Sequence, residues 1–230
     1  GVQGGNIIPI MLGYGCAVPA ILGTRAATTY KERIMVATLV SFAIPCASQS
    51  GAFFALLGDK SILALILVYL ISLLTLFVVG IVMDKTIEGK GQPMLLEIPN
   101  LLLPDRTAFM KKIKIRMKHF LLDAEGPMLI GIIIAAIVAE TGILNTFSTM
   151  IGPLVEGWLG LPKEASLSLL LGIIRRELAV LPLLELDLNT LQLLVGSVVA
   201  LFYLPCLSVF GILTKEFSLK VSLAIGIATT

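Results

Sequence analysis

A chain of 230 residues that is 57% apolar and 14% charged, with a mean hydropathy of +1.00, cannot cover its own surface with polar groups. This excludes an ordinary soluble domain and predicts a membrane protein. The formal net charge of +2 provides no basic field for a nucleic acid, and no nucleic-acid partner is expected.

No basic n-region with a cleavage site is visible, so no signal peptide is predicted. The chain opens at Gly1-Val2-Gln3 without a methionine and closes in an apolar run at Val221–Thr230. Both ends look cut, and the expectation is a piece of a larger transporter. Three cysteines, an odd number, give no disulfide framework.

In chain order, residues 6–23 form an apolar stretch marked by Pro9, Gly13, Gly15 and Pro19. A re-entrant loop or discontinuous helix is expected there, irregular from Gly13 to Pro19. Residues 24–33 form a polar hinge, with Thr29 and Glu32 spaced for a capping box. Residues 33–57 are long enough to cross a bilayer but carry Pro45-Cys46-Ala47-Ser48-Gln49-Ser50-Gly51 at their centre. Two readings stand side by side: a proline kink with small packing residues, or a broken helix lining a substrate cavity.

Residues 62–83 are the cleanest membrane helix, 22 residues without a charge. A linker with three prolines, at 93, 99 and 104, leads to a basic amphipathic helix over 105–122, with Asp105 as its cap. Such a helix is expected to lie on a membrane surface. His119, at its end, reads as an interfacial residue rather than a metal ligand. Apolar helices follow at 126–140 and 142–157, with Trp158 at an interface. Residues 165–184 are a second wounded segment with Arg175, Arg176 and Glu177 at its centre, where charge is costly unless paired. An acidic link (Glu185, Asp187) precedes a membrane helix expected over 191–213. The positive-inside rule puts Arg25–Arg33 and Lys85–Lys118 on the cytoplasmic side.

Ser41-Phe42-Ala43-Ile44-Pro45-Cys46-Ala47-Ser48 is echoed by Leu201-Phe202-Tyr203-Leu204-Pro205-Cys206-Leu207-Ser208, five of eight positions agreeing if Ile and Leu are equated. Gly13 precedes Cys46 by 33 residues and Gly172 precedes Cys206 by 34. Two repeats, each with a discontinuous helix, are the mark of an alternating-access transporter with its site between them. The predicted fold is therefore an all-α polytopic membrane protein with two gate-type repeats containing broken or re-entrant helices. Its expected regions are 1–83, the end of the first repeat, 84–122, a cytoplasmic linker, and 123–230, the second repeat.

Gly13-Tyr14-Gly15-Cys16-Ala17-Val18-Pro19-Ala20 closely resembles the GFGCNVPA motif of the ferrous iron transport protein B (FeoB) family. Thr24-Arg25, Lys31-Glu32-Arg33, Phe202-Tyr203-Leu204-Pro205-Cys206 and Lys215-Glu216 match further family patterns in the same order. The resemblance implies a permease core carrying Fe²⁺ across the cytoplasmic (inner) membrane in several passes. No GxxxxGK[ST] loop occurs in the sequence, so the family's GTPase domain is expected upstream or on another chain. The chain itself is expected to be no enzyme and to hold no cofactor. Its expected partners are Fe²⁺ as substrate and the lipid bilayer, and a homo-oligomer stays open.

The sequence departs from the family pattern at Ala17, at Gln49-Ser50-Gly51 and at Arg175-Arg176-Glu177. The alternative cargo is an organic solute such as a nucleoside, which calls for hydrogen-bonding side chains and an aromatic wall. A metal passage calls instead for convergent sulfur and oxygen donors, and Cys16, Cys46, Cys206, Ser48 and Gln49, with Met11 beside them, supply that set. The three cysteines are expected to approach one another near the helix breaks, one or two binding at a time. Glu177 is expected to face the interior and to form a gating or structural ion pair with Arg175 or Arg176.

Overall fold

The computed structural model describes residues 4–27, 29–87, 105–122, 165–172, 175–184, 188–203 and 205–228, with isolated positions between 126 and 186. The linker prolines, most of 126–157, Trp158, Glu185 and Asp187 lie outside the described residues. Every regular element among the described residues is helical.

The first apolar stretch is two short helices, α1 (Ile7–Gly13) and α2 (Ala17–Gly23). The irregular part is narrower than the sequence suggests. It is confined to Tyr14-Gly15-Cys16, and Pro19 lies in the first turn of α2, where its missing N–H has no intrahelical partner to lose. Thr29 caps α3 (Tyr30–Phe42), its hydroxyl accepting from the Glu32 N–H at 3.3 Å. The Glu32 carboxylate turns inward and accepts from Asn6 Nδ2 at 3.1 Å, tying α3 to the start of α1.

Pro45 lies in the gap between α3 and α4 (Ala47–Leu57), while Gly51 falls inside α4. The long helix α5 (Ile62–Thr86) starts at Ser61, whose hydroxyl accepts from the Ala64 N–H at 3.4 Å. Residues 30–57 and α5 are the two stretches among the described residues long and apolar enough to cross a membrane. The basic helix α6 (Arg106–Phe120) is exposed up to His119, and Asp105 accepts from the Thr107 N–H at its start.

The second wounded segment is not a continuous helix. After α7 (Ala165–Gly172) the chain reaches Arg175 and continues as two 3₁₀ turns, Arg176–Ala179 and Leu181–Leu184. The single helix expected over 191–213 is instead two, α8 (Thr190–Leu201) and α9 (Leu207–Glu216), parted around Pro205. A capping box of Asn189 and Gln192 starts α8. The last helix, α10 (Leu219–Ala228), packs beside α9.

The two halves thus share one plan. A helix ends at a glycine, Gly13 or Gly172, and a residue with extended backbone, Cys16 or Arg175, stands three positions on. A further helix ends near a phenylalanine, and a new one starts at a Pro-Cys pair. Phe42 and Phe202, matched in the sequence echo, meet with ring centroids 5.1 Å apart. Equivalent residues of two repeats touch only near the axis that relates them. The main apolar core mixes the halves, packing Phe53, Leu57 and Val68 with Val180, Leu193 and Leu201. A smaller one joins Val18 and Ile21 of α2 to Val209, Ile212 and Leu213 of α9.

Breaking an apolar helix frees backbone carbonyls that must find donors. The repeats supply them to each other. Arg176 of the second half donates through Nη2 to the Ser41 carbonyl at the end of α3. Gln49 of the first half donates to the Ala200 carbonyl at the end of α8, at 2.8 Å. Within the first half, Ser72 of α5 donates to the Ala43 carbonyl at 2.5 Å.

Candidate functional site

Each cysteine occupies the same kind of place: it is the residue just before a helix. Cys16, Cys46 and Cys206 are the N-caps of α2, α4 and α9, all with extended backbone. The gaps fix these positions, because a chain leaving a broken helix must extend before it coils again. The Ala47 N–H donates to the Gly15 carbonyl at 3.0 Å, holding the first two caps side by side. All three cysteines line one cavity of about 240 Å³, and each is partly buried.

Ser48 and Ser208 line the same cavity, each two residues beyond its cysteine. Ser208 joins the site although only the sequence echo, which aligns it with Ser48, marks it. Ser41, whose carbonyl accepts from Arg176, also lines it, and Phe120 at the end of α6 borders it. Gln49 is not among the lining residues. A helix advances 100° per residue, so Gln49 points to a different side of α4 from Ser48; its Nε2 donates to the Ala200 carbonyl at 2.8 Å, while its Oε1 is buried without a hydrogen-bond partner among the described residues. Met11 is 65% exposed and outside the cavity, and His119 is exposed on α6.

The charged trio lines the same cavity. Arg175 stands three residues after Gly172, as Cys16 stands three after Gly13, and their backbones nearly coincide, at φ −144°, ψ 129° and φ −153°, ψ 134°. Arg175 is thus the repeat-equivalent of Cys16. Its Nε lies 2.7 Å from Glu177 Oε1, and the Glu177 side chain is largely buried. Arg176 is buried, lines the cavity and stands within electrostatic reach of Cys46 and Cys206.

The electrostatics of this space favour negative charge. The start of a helix presents unpaired N–H groups and the positive end of its dipole, and α4 and α9 both start here. Arg176 adds a full positive charge. In a cavity of about 240 Å³ an ion would meet that charge and the Glu177 carboxylate at close range. Among the described residues no three His, Cys, Asp or Glu side chains form a ready-made metal cluster. The three cysteines line the cavity without forming such a cluster.

Away from the cavity, α2 and α9 run together and are tied at their far ends. Glu216 at the end of α9 accepts from Arg25 Nε at 3.0 Å and also from Arg25 Nη2. Glu216 Oε2, which accepts from Arg25 Nε, also accepts from Arg33 Nη2 at 3.1 Å. The Arg33 guanidinium lies 5.3 Å above the Phe217 ring.

Comparison with known proteins gives two family matches. Residues 65–116 match the model described as the ferrous iron transport protein B C terminus, and residues 121–220 match the Gate model, described as nucleoside recognition. An Fe(2+) transporter FeoB of Synechocystis is 26% identical over 259 residues, covering all of this chain and 42% of that protein. Proteins of the same name from Salmonella typhimurium and Escherichia coli are 26% identical over 153 residues, covering 64% of this chain and 19% of their own length. The chain thus spans less than half the length of these curated relatives. No solved structure matches it.

Proposed function

We infer from these matches that this chain belongs to the ferrous iron transport protein B family, and we propose that it forms the permeation core through which Fe²⁺ crosses the cytoplasmic membrane. The observation that carries the reading is the single cavity shared by the three cysteine caps. Fe²⁺ accepts sulfur and oxygen ligands. One or two of Cys16, Cys46 and Cys206 bind at a time, with Ser48, backbone carbonyls or water completing the shell. The absence of a preformed cluster among the described residues supports this, because a permeating ion must also leave. Glu177 paired with Arg175 braces the cavity wall. An organic solute fits less well, since Phe120 is the single aromatic ring among the described lining residues.

Uptake by vesicles carrying the complete transporter, offered Fe²⁺, Mn²⁺, Zn²⁺ and uridine in parallel, tests the proposal. Fe²⁺ should accumulate, and Ser at positions 16, 46 and 206 together should reduce its uptake at least tenfold with an unchanged size-exclusion profile. Uridine uptake without Fe²⁺ uptake would overturn the reading.

In the same proposal the two repeats are multi-pass, GTP hydrolysis belongs to a domain upstream or on a separate chain, and α6 rests on the cytoplasmic surface. From Arg106 to Phe120 that helix carries six lysines and arginines and no carboxylate, with Phe109, Ile113, Met117 and Phe120 along one stripe. Anionic headgroups would favour each basic residue by about 1 kcal/mol. Spin labels at Lys112 and Arg116 should report water and headgroup depth, and hydrocarbon depth at both would refute the placement.

A further inference from the structure

Ser41 is the second-last residue of α3 and lines the cavity, as Ile44 does three positions on. It is 1% exposed, and among the described residues its hydroxyl has no hydrogen-bond partner. Other helical hydroxyls of this chain behave differently. Thr38, Ser197, Thr214 and Ser222 each donate to the carbonyl four residues earlier, at 2.8–3.0 Å. The Ala37 carbonyl stands at the same offset from Ser41, yet the Ser41 hydroxyl is not bonded to it. The second repeat sharpens the contrast. The equivalent of Ser41 there is Leu201, which is buried in the main apolar core and is not among the residues lining the cavity. A leucine in that place gains from burial, whereas a buried hydroxyl without a partner loses the hydrogen bonds it made to water. We infer that the Ser41 hydroxyl is an oxygen ligand for the cation that this cavity passes. The inference rests on the Fe²⁺ reading above and deepens it by naming a donor outside the cysteine caps.

The chemistry of the group suits that task. A hydroxyl oxygen carries two lone pairs, and a cation can use an oxygen that no donor occupies. The backbone that carries it is held in place, because Arg176 donates to the Ser41 carbonyl. A donor on a fixed backbone loses little freedom when it binds. The hydroxyl is also neutral, so it adds a bond to the ion without the strong hold of another thiolate. Oxygen is a harder ligand than the sulfur of Cys46 and Cys206 in the same cavity. Ser41 should therefore favour Fe²⁺ and Mn²⁺ over a thiophilic ion such as Cd²⁺. Replacing oxygen by sulfur at this one position reverses that preference with almost no change of shape, so ligation can be separated from packing.

The test is competition in vesicles carrying the full-length transporter, with labelled Fe²⁺ challenged by Mn²⁺ and Cd²⁺. Ser41→Ala should weaken Mn²⁺ as a competitor about tenfold relative to Cd²⁺, because it removes only an oxygen donor. Ser41→Cys should move the ratio further towards Cd²⁺. A packing role would lower uptake and leave the ratio alone. If the alanine variant does not yield a monodisperse protein, the cysteine variant decides. If a variant is too slow to transport, the same ratio is read from Mn²⁺ and Cd²⁺ binding to the detergent-solubilised protein. An unchanged Mn²⁺-to-Cd²⁺ ratio in a folded variant overturns the inference while leaving Fe²⁺ transport standing. A wild type that takes up no Fe²⁺ overturns the transport reading itself.

Discussion

Replacing Glu216 with alanine should lower the stability of the folded protein by about 2–3 kcal/mol. Its side chain is 5% exposed, and it is the shared acceptor for Arg25 and Arg33. Breaking a buried pair by removing one partner usually costs about 3–5 kcal/mol. The lower figure reflects Arg25, which is largely exposed and regains water when its partner is lost. Arg33 does not escape so easily, because it is 24% exposed and packed over Phe217. Thermal unfolding of the detergent-solubilised protein measures the loss. A cycle with Arg33→Ala should return a coupling of about 1–2 kcal/mol. Additive single variants would show that the contact carries no energy of its own.

Gly172→Ala should be just as damaging, and Gly172→Val more so. A Cβ on Gly172 would lie 2.7 Å from the Ala179 Cβ and 3.2 Å from the Tyr203 ring. Ala179 closes the 3₁₀ turn that begins at Arg176, so the added methyl displaces the turn holding Arg176 and Glu177. Overpacking of this kind costs about 1–3 kcal/mol, and Fe²⁺ uptake should fall with it. Gly51→Ala is the control. That glycine lies within α4 with nothing within 4 Å of its Cβ position, and alanine there should stabilise the helix by about 0.5–1 kcal/mol. Equal effects at the two positions in thermal unfolding and uptake would sink the packing argument.

Those two glycines show what the sequence makes legible. Both lie in apolar segments that the sequence marks as interrupted, Gly51 within 33–57 and Gly172 within 165–184. Only packing separates them, and packing is set by residues distant in sequence. The breaks at Cys16, Cys46 and Cys206 were readable because proline and glycine act locally on the backbone, and the echo around Cys46 and Cys206 pointed to a shared axis. Even there, the helix over 191–213 was read as continuous, although Pro205 carries the same break as Pro45.

The cross-repeat bonds were not readable. Nothing in Gln49 says that its amide belongs to the Ala200 carbonyl, 151 residues away. Arg25, Arg33 and Glu216 each lie in a stretch matching a family pattern, yet no local rule joins a hinge to a helix end across 183 or 191 residues. A side chain that answers a distant broken helix looks, in sequence, like one that awaits a ligand.

The placement of Arg175 where the repeat would put a fourth cysteine bears on how long a cargo stays. Four thiolates at four corners would make a tetrahedral cage of the kind that holds structural zinc for the life of a protein. A guanidinium at one corner leaves that cage permanently open on one side. On the proposed permeation reading, an ion among the three cysteines would have no closed shell to settle into, its dwell time would stay short, and the one mismatched position would keep the cavity a passage instead of a trap.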